Sequence, residues 1–138
     1  FEIMHKDPVI VIDGGHNIEG ITSFVTNIKK YFAGKKIHLF YGMLNDKQVD
    51  ESLALLTTVA NEIYTLTPHD ARAVRADEMA EFIKENYPSI PCHSLKEFAE
   101  IKKHIDFSKK DEIFAFTGSL YMIGEARTIL SKLIAENK

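Results

Sequence analysis

The sequence predicts an α/β fold: a mostly parallel sheet of about six strands with one antiparallel edge strand and helices on both faces. Two observations carry this. Short β-type apolar runs alternate with helix-type runs from one end of the 138-residue chain to the other, the pattern of helices covering a parallel sheet. Three of those apolar runs also pass through a glycine-bearing turn into the next helical run, as strand-to-helix junctions do.

The first run, Phe1 to His5, reads as a short edge strand, antiparallel to the next because only Lys6-Asp7-Pro8 joins them. Val9 to Asp13 is an apolar strand. Ile21, Phe24, Val25, Ile28 and Phe32 then recur at three and four residues, one face of a helix that Gly34 ends. Ile37 to Tyr41 is the next strand. A second helix follows Asn45 as its cap, with Val49, Leu53, Leu56 and Ala60 inward. Glu62 to Leu66 is a strand, and the third helix carries Met79, Phe82 and Ile83 inward. A weaker strand falls around Ile90 to His93. Ser94-Leu95-Lys96-Glu97 matches a capping box and predicts a fourth helix. Glu112 to Thr117 is the last strand, and the helix from about Leu120 to Ala135 turns Ile123, Ala126, Leu130 and Leu133 to the sheet.

Composition narrows the function classes. The chain is 45% hydrophobic and 27% charged, fitting one domain that buries more than about 60% of the surface its unfolded chain exposes. Seventeen Lys and Arg face twenty Asp and Glu, a net charge of -3 without long blocks of one sign, so nucleic-acid binding has no electrostatic support. The single cysteine, Cys92, makes no internal disulfide, and no apolar run approaches the roughly 18 residues of a membrane span. A soluble cytoplasmic protein is expected. The chain opens Phe1-Glu2-Ile3-Met4, without initiator methionine or leader, and is expected to be a piece of something longer. No internal repeat, linker or domain boundary stands out.

Ligands of open α/β sheets collect at the carboxyl ends of the strands, so the residues just after each strand carry the functional information. Asp13-Gly14-Gly15-His16-Asn17-Ile18-Glu19-Gly20 is the first such junction. Its glycines permit close backbone approach, and the new helix offers N-H donors and a partial positive charge to an anion. Equally, Gly14 and Gly15 make a turn, Asn17 caps the helix and His16 is incidental. Gly15 to Thr22 reads G-x-x-x-x-G-Ile-Thr, a phosphate-cradling loop without its lysine, which excludes an autonomous ATPase of that type. There is no dinucleotide fingerprint.

The second junction, Tyr41 to Lys47, places Asp46 and Lys47 where they hold a charged ligand or another part of the protein, or simply serve the helix dipole and solvent. At the third, Phe116-Thr117-Gly118-Ser119-Leu120-Tyr121, Ser119 either caps the last helix or offers its hydroxyl to a carboxylate or phosphate. Pro68-His69-Asp70-Ala71-Arg72 adds a cation after the strand ending near Leu66. Six scattered histidines show no zinc spacing, and no nucleophile elbow occurs. Cys92 and His93 point to opposite faces of a strand, leaving a buried, inert thiol.

Taken together, Val9-Ile10-Val11-Ile12-Asp13-Gly14-Gly15-His16-Asn17, Gly42 to Lys47, Pro68 to Ala73 and Thr117-Gly118-Ser119-Leu120-Tyr121 resemble the carboxy-terminal domain of the folylpolyglutamate synthases, members of the Mur ligase family. The order and spacing of four blocks span nearly the whole chain. The family pattern Asp-Gly-Ala-His-Asn-Pro is altered here to Gly15 and Ile18; the first change reads as mild, and the second removes a preset φ at the first helical position. The resemblance implies a Rossmann-like three-layer sandwich and a preceding ATPase domain that this chain lacks. It implies ATP-dependent ligation: a folate carboxylate (tetrahydrofolate or dihydropteroate) is phosphorylated, and the amine of L-glutamate displaces phosphate. Mg2+ is expected to be held mainly by the missing domain, with no metal ligands in this one. Asp13, His16 and Asn17 are implied on the ATP side, Ser119 and Arg72 toward glutamate or another anion, and Asp46 and Lys47 at the interface with the ATPase domain. No residue is expected to act by proton transfer, since positioning and charge stabilisation suffice. A monomer is expected. The competing readings are another Mur-type ligase with a different acceptor, and a free-standing nucleotide- or anion-binding module.

Overall fold

The computed structural model describes residues 1–44 and 48–137. Six strands form one sheet in the order β1-β2-β6-β3-β4-β5: β1 Glu2–His5, β2 Val9–Asp13, β3 Ile37–Gly42, β4 Glu62–Thr65, β5 Cys92–Ser94 and β6 Ile113–Gly118. Only β1 runs antiparallel, against β2 at the edge; the other described pairings are parallel. The α/β, three-layer architecture expected from the alternation is the one found.

The central strands β3 and β6 are buried along their whole length, which explains their near-continuous apolar sequences. Alternate residues divide between two cores. On one face Val11, Leu39, Tyr41, Ile63, Ile113 and Ala115 pack with residues of helices α1 (Ile18–Tyr31), α2 (Val49–Leu56) and α3 (Ala76–Asn86). On the other, Ile10, Ile12, Phe40, Tyr64, Phe114 and Phe116 pack against α4 (Leu120–Glu136) and a 3-10 helix, Phe98–His104. Phe40 stacks between Tyr64 and Phe116, with centroids at 4.6 and 4.3 Å, adding to burial a specific ring contact. No helix among the described residues is long and apolar enough to cross a membrane.

Most boundaries match the hydrophobic periodicity to within a residue or three, and the differences have physical causes. Ser94 does not start a helix. It ends β5, because Leu95 N-H goes on to bond Thr65 O at 2.9 Å and its side chain is buried. The capping box sits three residues later, with Glu100 accepting from Glu97 N-H at 2.7 Å. The helix it opens is 3-10, with Phe98 and Ile101 buried at its three-residue repeat. Ala60 is buried but lies beyond α2, which ends at Leu56. Asn45, expected to cap α2, lies outside the described residues; Gln48 occupies the cap position of the observed helix.

The amino-terminal ends of the strands are held by a cluster that composition and spacing gave no sign of. The buried His38 ring on β3 is held between Glu62 at Nδ1 and Glu112 at Nε2, the latter at 2.5 Å, and stacks on Phe114 at 4.7 Å. Glu62 also accepts from Tyr64 OH at 3.0 Å. Burial opposes ionisation of Glu62, but the hydrogen bonds of His38 and Tyr64 outweigh it and hold the carboxyl below its ordinary value.

Candidate functional site

At the opposite end of the sheet, β2 and β6 are neighbours whose following helices leave on opposite faces, α1 on one and α4 on the other. Such a divergence opens a crevice at the carboxyl ends of the strands. Asp13 and Thr117, the paired residues at this point, share one face of the sheet with Tyr41 by strand alternation. The two loops touch: a Cβ on Gly14 would lie 2.9 Å from Leu120 Cδ2. Asp13 to Asn17 and Gly118 to Tyr121 are thus neighbouring loops at one end of the sheet.

Asp13 Oδ1 accepts from Gly15 N-H at 2.8 Å, closing the turn, while Oδ2 lies 3.0 Å from the Phe1 amino group. His16 is exposed and donates from Nδ1 to Gly14 O at 3.0 Å. The carbonyl can only accept, so Nδ1 is the donor there and Nε2 is the outward nitrogen. Asn17 caps α1, its Oδ1 accepting from Gly20 N-H at 2.8 Å. Gly15 and Gly20 back onto each other: a Cβ on Gly15 would sit 2.9 Å from the Gly20 backbone. Gly15 is therefore a close-packed position in this chain. Ile18 N-H, which a proline would lack, donates to Gln48 Oε1 at 2.8 Å. The first turn of α1 is thus satisfied internally at Ile18 and Gly20, and what it offers an anion is its dipole and His16.

Ser119 is buried and caps α4, its Oγ accepting from Met122 N-H at 3.1 Å. Its own N-H donates to Gly42 O at 2.9 Å. This junction depends on Gly118, whose φ of +131° and near contact, 1.8 Å from a Cβ to Gly42 O, exclude a side chain. Thr117 Oγ1, beneath the loops, is fully buried without a hydrogen-bond partner among the described residues. Arg72 reaches the rim, 6.0 Å from the Tyr121 ring centroid. Its guanidinium is paired with Asp70 at 2.9 and 3.2 Å, and that hydrogen bonding and charge hold Asp70 below the usual carboxylate range. His69 Nδ1 meets Glu125 of α4 at 2.5 Å, tying the same loop down. Arg72 therefore sits beside Ser119's helix, with its charge balanced. Asp46 and Lys47 lie outside the described residues.

Sequence reasoning missed Gln48, whose role depends on a partner brought close only by the fold. It also missed a cleft of about 500 Å³ on the same edge of the sheet, lined by Thr67, Arg75, Asp77, Ser94 and Lys96; there Arg75 is neutralised by Asp77 at 3.1 Å. Cys92 is buried, and burial pushes its thiol up to about 11, as expected of an inert cysteine. Among the described residues no three His, Cys, Asp or Glu side chains converge as metal ligands.

Two capped helix starts thus meet at the carboxyl ends of parallel strands, where ligands of open α/β sheets collect, beside a G-x-x-x-x-G loop that lacks the lysine of a phosphate-gripping motif. Comparison with known proteins gives the family. The family described as "Mur ligase, glutamate ligase domain" matches residues 1–120, and the chain belongs to it. It is 30% identical over 129 residues to the dihydrofolate synthase/folylpolyglutamate synthase of Bacillus subtilis, covering 91% of this chain and 29% of that protein. Among solved structures, folylpolyglutamate synthase of Mycobacterium tuberculosis, complexed with ADP and AMPPCP, superposes with a TM-score of 0.82 at 22% identity over 93% of this chain and 31% of that one. Folylpolyglutamate synthase of Thermotoga maritima gives 0.80 at 24% identity, covering 95% and 30%. These likenesses show the fold. The chain spans about 29% of the length of its Bacillus relative.

Proposed function

We propose that this chain is the carboxy-terminal domain of an ATP-dependent ligase that adds glutamate to a folate, acting with a preceding ATPase domain in the cytoplasm. The observation that carries the reading is the junction at which the Asp13 and Gly118 loops meet. It holds an outward His16 nitrogen and two capped helix starts, and the adjoining G-x-x-x-x-G loop lacks the lysine that would grip a triphosphate. Such a half-site is supported as one wall of a nucleotide pocket whose other wall carries the phosphate grip. Leu120 and Tyr121, exposed at the mouth, supply apolar surface for a closing domain to cover.

In this reading ATP supplies the phosphoryl group that activates a folate carboxylate, with ADP leaving. The amine of L-glutamate then attacks the acyl carbon, and phosphate departs as the amide forms. Asp13 fixes the turn that presents His16; His16 meets phosphate charge; Asn17 holds the first turn of α1. Ser119 fixes the start of α4, whose N-terminal dipole favours a carboxylate beside it, and Arg72 at the rim, 6.0 Å from the Tyr121 ring, is a cation beside that point. Asp46 and Lys47 are proposed to meet the ATPase domain. Magnesium is assigned to that domain, and nothing in this chain's part of the mechanism runs through it.

A panel of acceptors offered to the full-length protein with ATP and labelled glutamate tests the reading. Incorporation into tetrahydrofolate or dihydropteroate, with ADP released, is expected. Ligation only to peptidoglycan precursors would make it another Mur-type ligase. Tight ATP binding by this chain alone, without ligation by the full-length protein, would make it a binding module. The isolated chain is expected to turn over neither ATP nor glutamate.

A further inference from the structure

We propose that Gln48 is a positioning residue for the Asp13 to Gly20 loop, acting through one hydrogen bond to the backbone of Ile18. The proposal rests on the reading of that loop as the nucleotide side of the crevice. Gln48 stands at the cap position of α2, yet its side chain makes no cap bond to its own helix. Its Oε1 instead accepts from Ile18 N-H at 2.8 Å, thirty residues away in sequence. Ile18 is the first residue of α1, so its N-H has no partner within the helix and must find one elsewhere.

The consequence is mechanical. The bond joins the start of α1 to the start of α2, and His16 lies only two residues before the anchored N-H. A displacement of Ile18 is passed directly to the His16 and Asn17 backbone. The same bond occupies a donor that would otherwise face an incoming anion, so it also decides which groups the loop presents. Asn17 has φ -135° and ψ 174°, the extended conformation that a residue preceding proline requires. Proline at position 18 therefore deletes the N-H without breaking the helix, since the first helical position tolerates it. That provides a clean way to remove the bond from either end.

The test is a double-mutant cycle in the full-length protein, using Gln48→Met, Ile18→Pro and the pair. Gln48→Met is expected to raise KM for ATP about two- to tenfold, the worth of one such bond, with a smaller change in kcat and faster hydrogen exchange at the Ile18 amide. In the Ile18→Pro background the same change is expected to do nothing further. Gln48→Glu keeps an acceptor oxygen and is expected to preserve protection of the Ile18 amide, which guards against a general folding defect in the methionine variant. Equal effects of Gln48→Met in both backgrounds, or a released amide with unaltered KM, would overturn the proposal alone. Absence of ATP-dependent ligation by the unmodified protein would overturn the underlying reading of the loop and carry the proposal with it.

Discussion

Replacing Gly118 with alanine should cripple the fold at the point where the site is built. A Cβ there would fall 1.8 Å from Gly42 O and 3.1 Å from Gly42 N. These atoms belong to the neighbouring strand at the paired position, so relief requires the backbones of β3 and β6 to separate. The φ of +131° adds strain of about 1–3 kcal/mol for a residue with a side chain. Separation also threatens the bond from Ser119 N-H to Gly42 O, and a buried group left unpaired costs about 1–3 kcal/mol. The sum, about 2–6 kcal/mol, is a large share of the roughly 5–15 kcal/mol that holds a domain folded. Thermal unfolding should show Tm lowered by roughly 6–24 °C. Gly124→Ala is the control: it lies within α4 with nothing near a Cβ, so it should stabilise by about 0.5–1 kcal/mol. A Gly118→Ala protein melting within a few degrees of the parent would refute the argument from close approach.

Other consequences follow from named groups. Glu62 is held below its ordinary value of 4.5, so its contribution to stability is complete above that value and is lost as pH falls through the depressed one; Glu62→Gln should flatten the acid limb of a stability-against-pH curve, and an unchanged limb would contradict the His38 cluster. His16→Ala in the full-length protein should lower kcat/KM for ATP about 10–100-fold, with Tm unaltered because the side chain is exposed; unchanged kinetics would remove His16 from the site. Ser119→Ala should cost about 1 kcal/mol as a lost cap, read by urea denaturation, whereas no change would mean that Oγ does not hold the helix start. Cys92 should resist thiol reagents at neutral pH until the protein unfolds, and rapid labelling of the native protein would show the strand to be open.

The sheet was legible because its signal is local. Val9 to Asp13 and Ile37 to Tyr41 are apolar runs bounded by turn residues, and the helices between them keep their apolar residues at three- and four-residue spacing. The caps Asn17 and Ser119 were legible for the same reason, since each acts on an N-H three residues on. The Ser94 box misled because its residues do fit the motif; pairing of Leu95 with Thr65 keeps the chain extended past Ser94. His38 could not be found in advance, as its two carboxylates come from 24 and 74 residues away. The constraint on Gly15 was also hidden, because it arises from packing against Gly20 as well as from the Asp13 turn. The crevice between β2 and β6 emerges only from strand order, which places the last strand beside the second. Motif order named the loops, and topology brought them together.

The central claim is that this chain forms one wall of a nucleotide site whose phosphate grip lies on another domain of the same protein. Determining the coding sequence upstream of Phe1 tests it most directly. The account predicts a preceding domain of a few hundred residues (~300) carrying G-x-x-x-x-G-K-[ST]. A start codon immediately before Phe1 would contradict it, leaving an autonomous module without the means to activate a carboxylate.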